Sequence, residues 1–298
     1  RQWAFMDIDS IFHGNTTLIC STVSKSLKSS DRKFLTRGTG FYYDVLSDTP
    51  VPNTKFREIK NMSLVTNRHV LFKKIDGVEY LPDDFEFNLR KVKDNKISWE
   101  PIHLDATEVQ KRTKVAPIET IDVAVIDVHD LIVDKVKEST YPDIRYISPF
   151  GVNKEQTLGN TKIPVEVGDD VLIIGYPYGY YDVVNCFPIV KSGTVASSLY
   201  NDFNGEPYFL VHAKLFPGSS GSLVISKPTN VISADSRFLY SKEKQFAFLG
   251  IFSSNPYVKI LENDEHKPSE AEFDVGKVWY GRLIEKIIER GISFREKK

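Results

Sequence analysis

Cysteine is nearly absent from this 298-residue chain, with Cys20 and Cys186 the only two. A disulfide-built scaffold is therefore excluded. Each sits among apolar or β-branched neighbours, so two free, buried thiols are the expectation, with one long-range bridge between them as the alternative. Neither belongs to a Cys-x-x-Cys pair, and none of the six histidines (His13, His69, His103, His129, His212 and His266) has an i, i+4 partner. That leaves no ligand set with structural-zinc spacing, and no metal or other cofactor is expected. Charge of one sign is also lacking: 39 Lys+Arg against 40 Asp+Glu give a formal net charge of −1. Without a basic field, nucleic acid and anionic membrane surfaces are poor partners. No apolar run approaches the roughly 18 residues of a membrane span. The opening Arg1-Gln2-Trp3-Ala4-Phe5 lacks the pattern of a signal peptide. A cytoplasmic location is the expectation, or export if a signal preceded Arg1. Internal repeats, low-complexity tracts and a glycine-rich phosphate loop are missing as well.

What is present is an ordinary globular composition, 41% apolar and 27% charged. Short β-branched and aromatic runs bounded by Gly, Pro, Asn and Asp recur through most of the chain and predict an all-β protein. Strands are expected near residues 16–21, 40–44, 63–66, 85–92, 121–128, 171–176, 192–198, 208–213, 222–225 and 246–252. Near the C-terminus, Tyr280, Leu283, Ile284, Ile287 and Ile288 recur at three- and four-residue spacing before Gly291. This predicts a single closing amphipathic helix. Between about residues 131 and 165 the pattern weakens, which predicts a boundary between two β halves, 1–150 and 151–298.

The chemistry concentrates in Phe216-Pro217-Gly218-Ser219-Ser220-Gly221-Ser222-Leu223-Val224-Ile225. Glycines around a serine, directly before an apolar strand, permit a tight turn that presents amide N–H groups beside a hydroxyl. Taken alone, the same residues could form a flexible turn. A serine nucleophile needs a base, usually histidine, and the histidine needs a carboxylate to fix its tautomer. His69 follows the strand-like Leu64-Val65-Thr66, and Asp122 precedes Val123-Ala124-Val125-Ile126. Asp127 and Asp130 are alternative carboxylates; strand alternation turns Asp127 to the opposite face from Asp122.

Thr66-Asn67-Arg68-His69-Val70, Asp122-Val123-Ala124-Val125 and Gly218-Ser219-Ser220-Gly221-Ser222, in that order, resemble the motifs of chymotrypsin-like serine proteases. The wording is most similar to bacterial trypsin-like peptidases of the high-temperature-requirement (Deg) and glutamyl endopeptidase type. Gly38-Thr39-Gly40-Phe41, Val167-Gly168-Asp169, Ile174-Gly175-Tyr176-Pro177 and Ser192-Gly193-Thr194-Val195 add to the match. The resemblance covers nearly the whole chain from about residue 15. It implies two six-stranded antiparallel β-barrels followed by the helix, the first carrying His69 and Asp122 and the second Ser220. It implies a serine endopeptidase acting on protein or peptide substrates through an acyl-enzyme on Ser220. His69 would be the base, Asp122 its orienting group, and the amides of Gly218 and Ser220 the oxyanion hole.

In Leu249-Gly250-Ile251-Phe252-Ser253-Ser254-Asn255 the same resemblance implies a cleft strand, with Ser253 beneath Asp122 and its carbonyl receiving the substrate as an added β-strand. Other features depart from the family. Ser219 stands where zymogen-activated trypsins carry Asp, which argues against activation by a new N-terminus. The peptide-binding domain common after Deg proteases is missing from this sequence, so any regulatory partner would be a separate protein. Two pocket readings remain. Lys214, six residues before Ser220, would favour an acidic side chain, whereas Leu215 and Phe252 would favour an apolar or small one. The aromatic loop Tyr176-Pro177-Tyr178-Gly179-Tyr180-Tyr181 is expected either at a recognition surface or tucked over the second barrel. Glu262-Asn263-Asp264-Glu265 is expected to be a solvated loop. The alternative function is a silent or latent protease-like module that binds peptides without turnover. A hydrolase of small esters would use the same chemistry. Oligomeric state is not encoded in any of these patterns.

Overall fold

The computed structural model describes residues 14–27, 30–54, 56–235, 237–254 and 274–293. Asn255 and the acidic run 262–265 lie outside them. The chain begins with β1 (Thr16–Leu27) and β2 (Ser30–Leu46), a long antiparallel pair, with β3 (Ile59–Thr66) beside β2. A one-turn helix α1 (Arg68–Leu71) leads to the hairpin β4 (Lys73–Ile75) and β5 (Val78–Tyr80), then to the hairpin β6 (Asp84–Lys93) and β7 (Lys96–Asp105). Both hairpins close on two residues with positive φ, Asp76-Gly77 and Asp94-Asn95. Such pairs match the right-handed twist of the flanking strands.

Helix α2 (Ala106–Arg112) starts at Asp105, whose side chain accepts the Glu108 N–H, a sequence-encoded N-cap. Next come β8 (Thr113–Val115), β9 (Ala124–Asp127), helix α3 (His129–Lys137), β10 (Ile144–Ile147) and β11 (Val152–Asn153). The remainder holds β12 (Asp170–Gly175), β13 (Ile189–Val195), β14 (Tyr208–His212), β15 (Leu223–Ser226), the hairpin β16 (Thr229–Ala234) and β17 (Arg237–Gln245), β18 (Phe248–Phe252), β19 (Val275–Tyr280), helix α4 (Arg282–Arg290) and β20 (Ile292–Ser293).

Six strands close a barrel in the order β12-β13-β14-β19-β18-β15. Its interior follows from period-two alternation: Phe209 and Val211 of β14 point inward with Val171, Ile173, Val224 and Val278, while Tyr208 and Leu210 face outward. A register shift opposite Val224 and Ile225 changes the parity of β18, so that Leu249 and Phe252 both reach the interior.

Eight strands before residue 150, all but the β4–β5 hairpin, join β11 and β20 in a ten-stranded sheet along β10-β6-β1-β2-β3-β9-β8-β20, with β7 on β6 and β11 on β2. Where a second six-stranded barrel is expected, the described residues give this open path. Along one edge strand β6 gives residues 84–87 to β1 and residues 90–93 to β10, while its other edge pairs over its whole length with β7. Strands β11 and β20, from beyond residue 150, pair back onto this sheet. Sheet and barrel share a core of Phe41, Tyr43, Val65, Val125, Ile174, Leu223, Phe248, Ile251 and Trp279, capped by Leu283, Ile284 and Ile287 of α4. The closing helix therefore lies where the sequence periodicity predicts, and Gly291 is its C-cap.

Most expected strands are present. The stretch of about residues 131–165, where the pattern weakens, holds most of α3 and also β10, whose apolar positions are few and mostly half-exposed. Cys20 and Cys186 are both free thiols, Cys186 buried and Cys20 half-buried. Burial raises both thiol pKa values. No helix among the described residues is long and apolar enough to cross a membrane.

Candidate active site

The pairing of β3 with β9 ends at Thr66↔Ala124. The residues just past that end, α1 on one strand and Asp122 on the other, must therefore lie side by side. His69 Nδ1 is 2.7 Å from Asp122 Oδ2, and the His69 backbone N–H donates to Asp122 Oδ1 at 2.9 Å. Buried Asn67 donates from Nδ2 to the Asp122 carbonyl at 2.7 Å, so both the side chain and the backbone of Asp122 are fixed. His69 itself stays exposed at the cleft.

The pairing of β15 with β18 acts the same way at the other wall. Its last rungs, Gly221 N–H to the Phe252 carbonyl at 2.8 Å and Phe252 N–H to the Ser222 carbonyl at 3.0 Å, carry Ser220 and Ser253 together. Ser220 Oγ donates to the Ser253 carbonyl at 2.7 Å, and Ser253 Oγ donates to Asp122 Oδ2 at 2.6 Å. One line of hydrogen bonds thus runs from Ser220 through Ser253 and Asp122 to His69. Burial pushes the Asp122 carboxyl up, but the hydrogen bond and charge of His69 and the Ser253 hydroxyl outweigh it, and the net direction is down.

The turn between them is fixed from behind. Gly218 has φ +88° and Gly221 φ +86°. A Cβ on Gly221 would stand 1.9 Å from the Thr39 carbonyl oxygen, so only glycine fits there. Thr39 is fully buried. Its Oγ1 donates to the Gly218 carbonyl (3.1 Å) and accepts from the Tyr176 N–H (2.9 Å), and its N–H donates to the Ser220 carbonyl (2.9 Å). The Thr66 hydroxyl in turn donates to the Thr39 carbonyl. Thr39, Thr66 and Asn67 lay inside motifs quoted from the sequence, but nothing in a hydroxyl or amide side chain reveals which backbone group it will hold.

The remaining expected site residues separate. Lys214 is exposed, and its carbonyl accepts from Lys191 Nζ, whose ammonium lies 4.3 Å from the Phe216 ring. Burial and the nearby Lys214 charge both push the Lys191 pKa down. Leu215 and buried Phe252 instead pack at Gly276, where a Cβ would meet Phe252 at 2.6 Å and Leu215 at 3.2 Å. Ser254 is exposed, with its carbonyl bonded to the Lys277 N–H. Asp127 accepts from Asn61 and from the His129 N–H, and Asp130 pairs with Arg112 at 2.6 and 2.9 Å, so both alternative carboxylates are engaged away from His69. His212 is an exposed residue at the end of β14. A cleft of about 570 Å3 lies away from His69, Asp122 and Ser220, lined by Ser63, Lys111, Arg112, Lys114, Asp127 and Asp130. Its Arg112 is taken up by Glu108 and Asp130, and its Lys114 by the Ile288 carbonyl. No group of three or more His, Cys, Asp or Glu side chains among the described residues could hold a metal ion.

Residues 38–232, which include the His69, Asp122 and Ser220 segments, match the profile of the trypsin-like peptidase domain. The chain belongs to that family. Among solved structures, similarity is found to the active form of the Rv3671c protease from M. tuberculosis, at 13% identity and TM-score 0.41, covering 98% of this chain and 88% of that one. The inactive Ser343Ala mutant of the same protein matches at 13% identity and TM-score 0.39, covering 95% and 88%. No curated protein sequence matches the chain. Membership of a peptidase family implies protein substrates, and the matched residues hold His69, Asp122 and Ser220, while Ser253 lies beyond them.

Proposed function

We propose that this trypsin-like peptidase domain is a serine endopeptidase that cleaves peptide bonds through an acyl-enzyme on Ser220. His69 takes the Ser220 proton as attack begins and returns it to the leaving amine. Asp122 holds the imidazole tautomer through Nδ1–H and stabilises the imidazolium that forms. The amides of Gly218 and Ser220 receive the oxyanion. The observation that carries this reading is the 2.7 Å His69–Asp122 contact joined, through both polar groups of Ser253, to the Ser220 hydroxyl.

The substrate would add as a strand along Ser253 and Ser254. The packing of Leu215 and Phe252 over Gly276 supports a shallow apolar pocket, and the exposure of Lys214 weighs against a pocket that selects an acidic side chain. In architecture, we read the ten-stranded sheet as the counterpart of a first barrel and the halves 1–150 and 151–298 as one peptidase unit. The cleft needs no metal or organic cofactor for this chemistry.

A second reading is favoured by one contact. Ser220 Oγ donates to the Ser253 carbonyl, which suits a latent or silent peptide-binding form as well as a resting enzyme. Labelling with a fluorophosphonate separates the two, comparing the native chain with Ser220→Ala. Ser220-dependent labelling supports the peptidase. Absence of labelling where a control protease reacts supports the silent binder.

A further inference from the structure

We propose that Tyr178, through its backbone N–H, is the positioning residue that aims the Gly218 amide into the cleft; this rests on the peptidase reading above. A trans peptide is planar, so an N–H points opposite to the carbonyl that precedes it. The Pro217 carbonyl accepts from the Tyr178 N–H at 2.6 Å, which turns the Gly218 N–H the other way. The Ser219 carbonyl accepts from the Ser222 N–H at 3.0 Å, which orients the Ser220 N–H similarly. The second anchor is internal to the turn. The first comes from a different loop, so the aim of one amide is set by the loop and of the other by the turn itself.

That loop is built to hold an awkward residue. Tyr178 has φ 55° and ψ 16°, a left-handed conformation that side-chain-bearing residues enter at a cost. The bonds of Gly179 N–H to the Tyr176 carbonyl (2.9 Å) and Tyr180 N–H to the Pro177 carbonyl (2.8 Å) lock the turn, and the Tyr178 ring stacks 5.5 Å from Phe216. Its base, which leaves the barrel at β12, is anchored on the ten-stranded sheet. Buried Tyr176 donates its hydroxyl proton to the Thr16 carbonyl, while buried Arg90 of β6 donates to the Tyr176 hydroxyl (3.4 Å) and to the Cys186 carbonyl (2.7 and 3.1 Å). Gly218 fits closely against this support: a Cβ there would lie 2.8 Å from both the Tyr176 carbonyl oxygen and the Tyr178 nitrogen.

The test compares Tyr178→Gly, which retains the N–H and adopts positive φ freely, with Tyr178→Pro, which removes the N–H and fixes φ near −65°. Fluorophosphonate labelling rates should be within about 3-fold of native for the glycine variant and fall about 100-fold for the proline variant, a loss on the scale of one oxyanion donor. The Kd of a product-like peptide should stay constant across all three. In spectra of chains labelled with 15N only at glycine, the Gly218 resonance should shift in the proline variant and hold in the glycine variant, while the other glycines report an intact fold. If the proline variant does not fold, Tyr178→Val, which disfavours positive φ, should shift the same resonance and slow labelling about 10-fold. An unmoved Gly218 resonance and native labelling in Tyr178→Pro (or in Tyr178→Val) would overturn the proposal. Equal losses in Tyr178→Gly and Tyr178→Pro would also overturn it. If the native chain does not label at all, the peptidase reading fails, and the Gly218 resonance still decides the role of Tyr178.

Discussion

Ser253 faces Ser220 and Asp122 at once: its carbonyl accepts from Ser220 Oγ at 2.7 Å while its hydroxyl donates to Asp122 Oδ2 at 2.6 Å. The backbone half of this arrangement survives any side-chain replacement, and the hydroxyl half does not. Ser253→Ala should therefore leave peptide binding intact but remove one of the hydrogen bonds that hold the Asp122 carboxylate. A hydrogen bond to a charged group is worth about 1.5–3 kcal/mol, so labelling and turnover are expected to drop about 10- to 100-fold with KM nearly unchanged. Steady-state kinetics on one peptide would check this, and an unchanged kcat would assign the Ser253 hydroxyl no part in the line.

Asp122 differs from its neighbours Asp127 and Asp130 in partner rather than in kind. Asp122→Asn should cut turnover by about 10⁴-fold, since the neutral amide favours the wrong imidazole tautomer. Asp127→Asn and Asp130→Asn should leave turnover within a few-fold, because these carboxylates serve Asn61, His129 and Arg112. The lowered pKa of Asp122 also fixes a sign for stability. The folded state favours the charged form, so the contribution is present above the unfolded carboxylate range near pH 4 and is lost as pH falls through the lower folded value. Acid unfolding of Asp122→Asn should accordingly start from a less stable baseline and show a shallower slope below pH 4.

The sequence made the cleft legible because three chemically distinctive residue types sit just beyond strand ends. His69 and Asp122 flank the last β3–β9 rung, and Ser220 and Ser253 flank the last β15–β18 rungs. Strand patterning puts each of them at a strand end, and the resemblance to chymotrypsin-like proteases carried by the surrounding motifs is what implies that they meet. The roles of Thr39 and Tyr178 escaped because what they hold is backbone far away in the chain, the Gly218 carbonyl through the Thr39 hydroxyl and the Pro217 carbonyl through the Tyr178 N–H. The first sheet escaped for a related reason. Alternation specifies which face of β6 is buried, but not whether its edge pairs with β1, β7 or β10.

Asp44 offers a test of electrostatics outside the cleft. Burial pushes its pKa up to about 6, only partly offset by the Gly151 N–H that its Oδ2 accepts at 2.9 Å, and its Oδ1 is buried without a hydrogen-bond partner. A carboxyl whose folded pKa lies above its unfolded value stabilises the fold below pH 4, and that stability is lost as pH rises through about 6. Replacement by asparagine keeps an acceptor for Gly151 and removes the buried charge. Asp44→Asn should thus be more stable than the native chain at pH 7.5, by up to about 3 kcal/mol, with the gap closing by pH 4. Urea unfolding at the two pH values measures it, and a gap independent of pH would reject the cause given.

Two glycines with nearly equal φ separate conformational cost from lack of space. Gly159 has φ +94° with nothing within 4 Å of an added Cβ, whereas Gly221 has φ +86° with the Thr39 carbonyl oxygen at 1.9 Å and Thr66 Oγ1 at 2.8 Å. Gly159→Ala should cost about 1–2 kcal/mol, the strain of a left-handed alanine, and leave labelling intact. Gly221→Ala must also push Thr39 away from the Ser220 carbonyl it holds, so its cost should exceed that of Gly159→Ala by about 2 kcal/mol or more, with labelling lost even where the chain still folds. Denaturation curves and labelling rates on the two variants side by side would check both halves. Equal losses of stability would mean that the turn before β15 yields where its close contact with Thr39 says it should not.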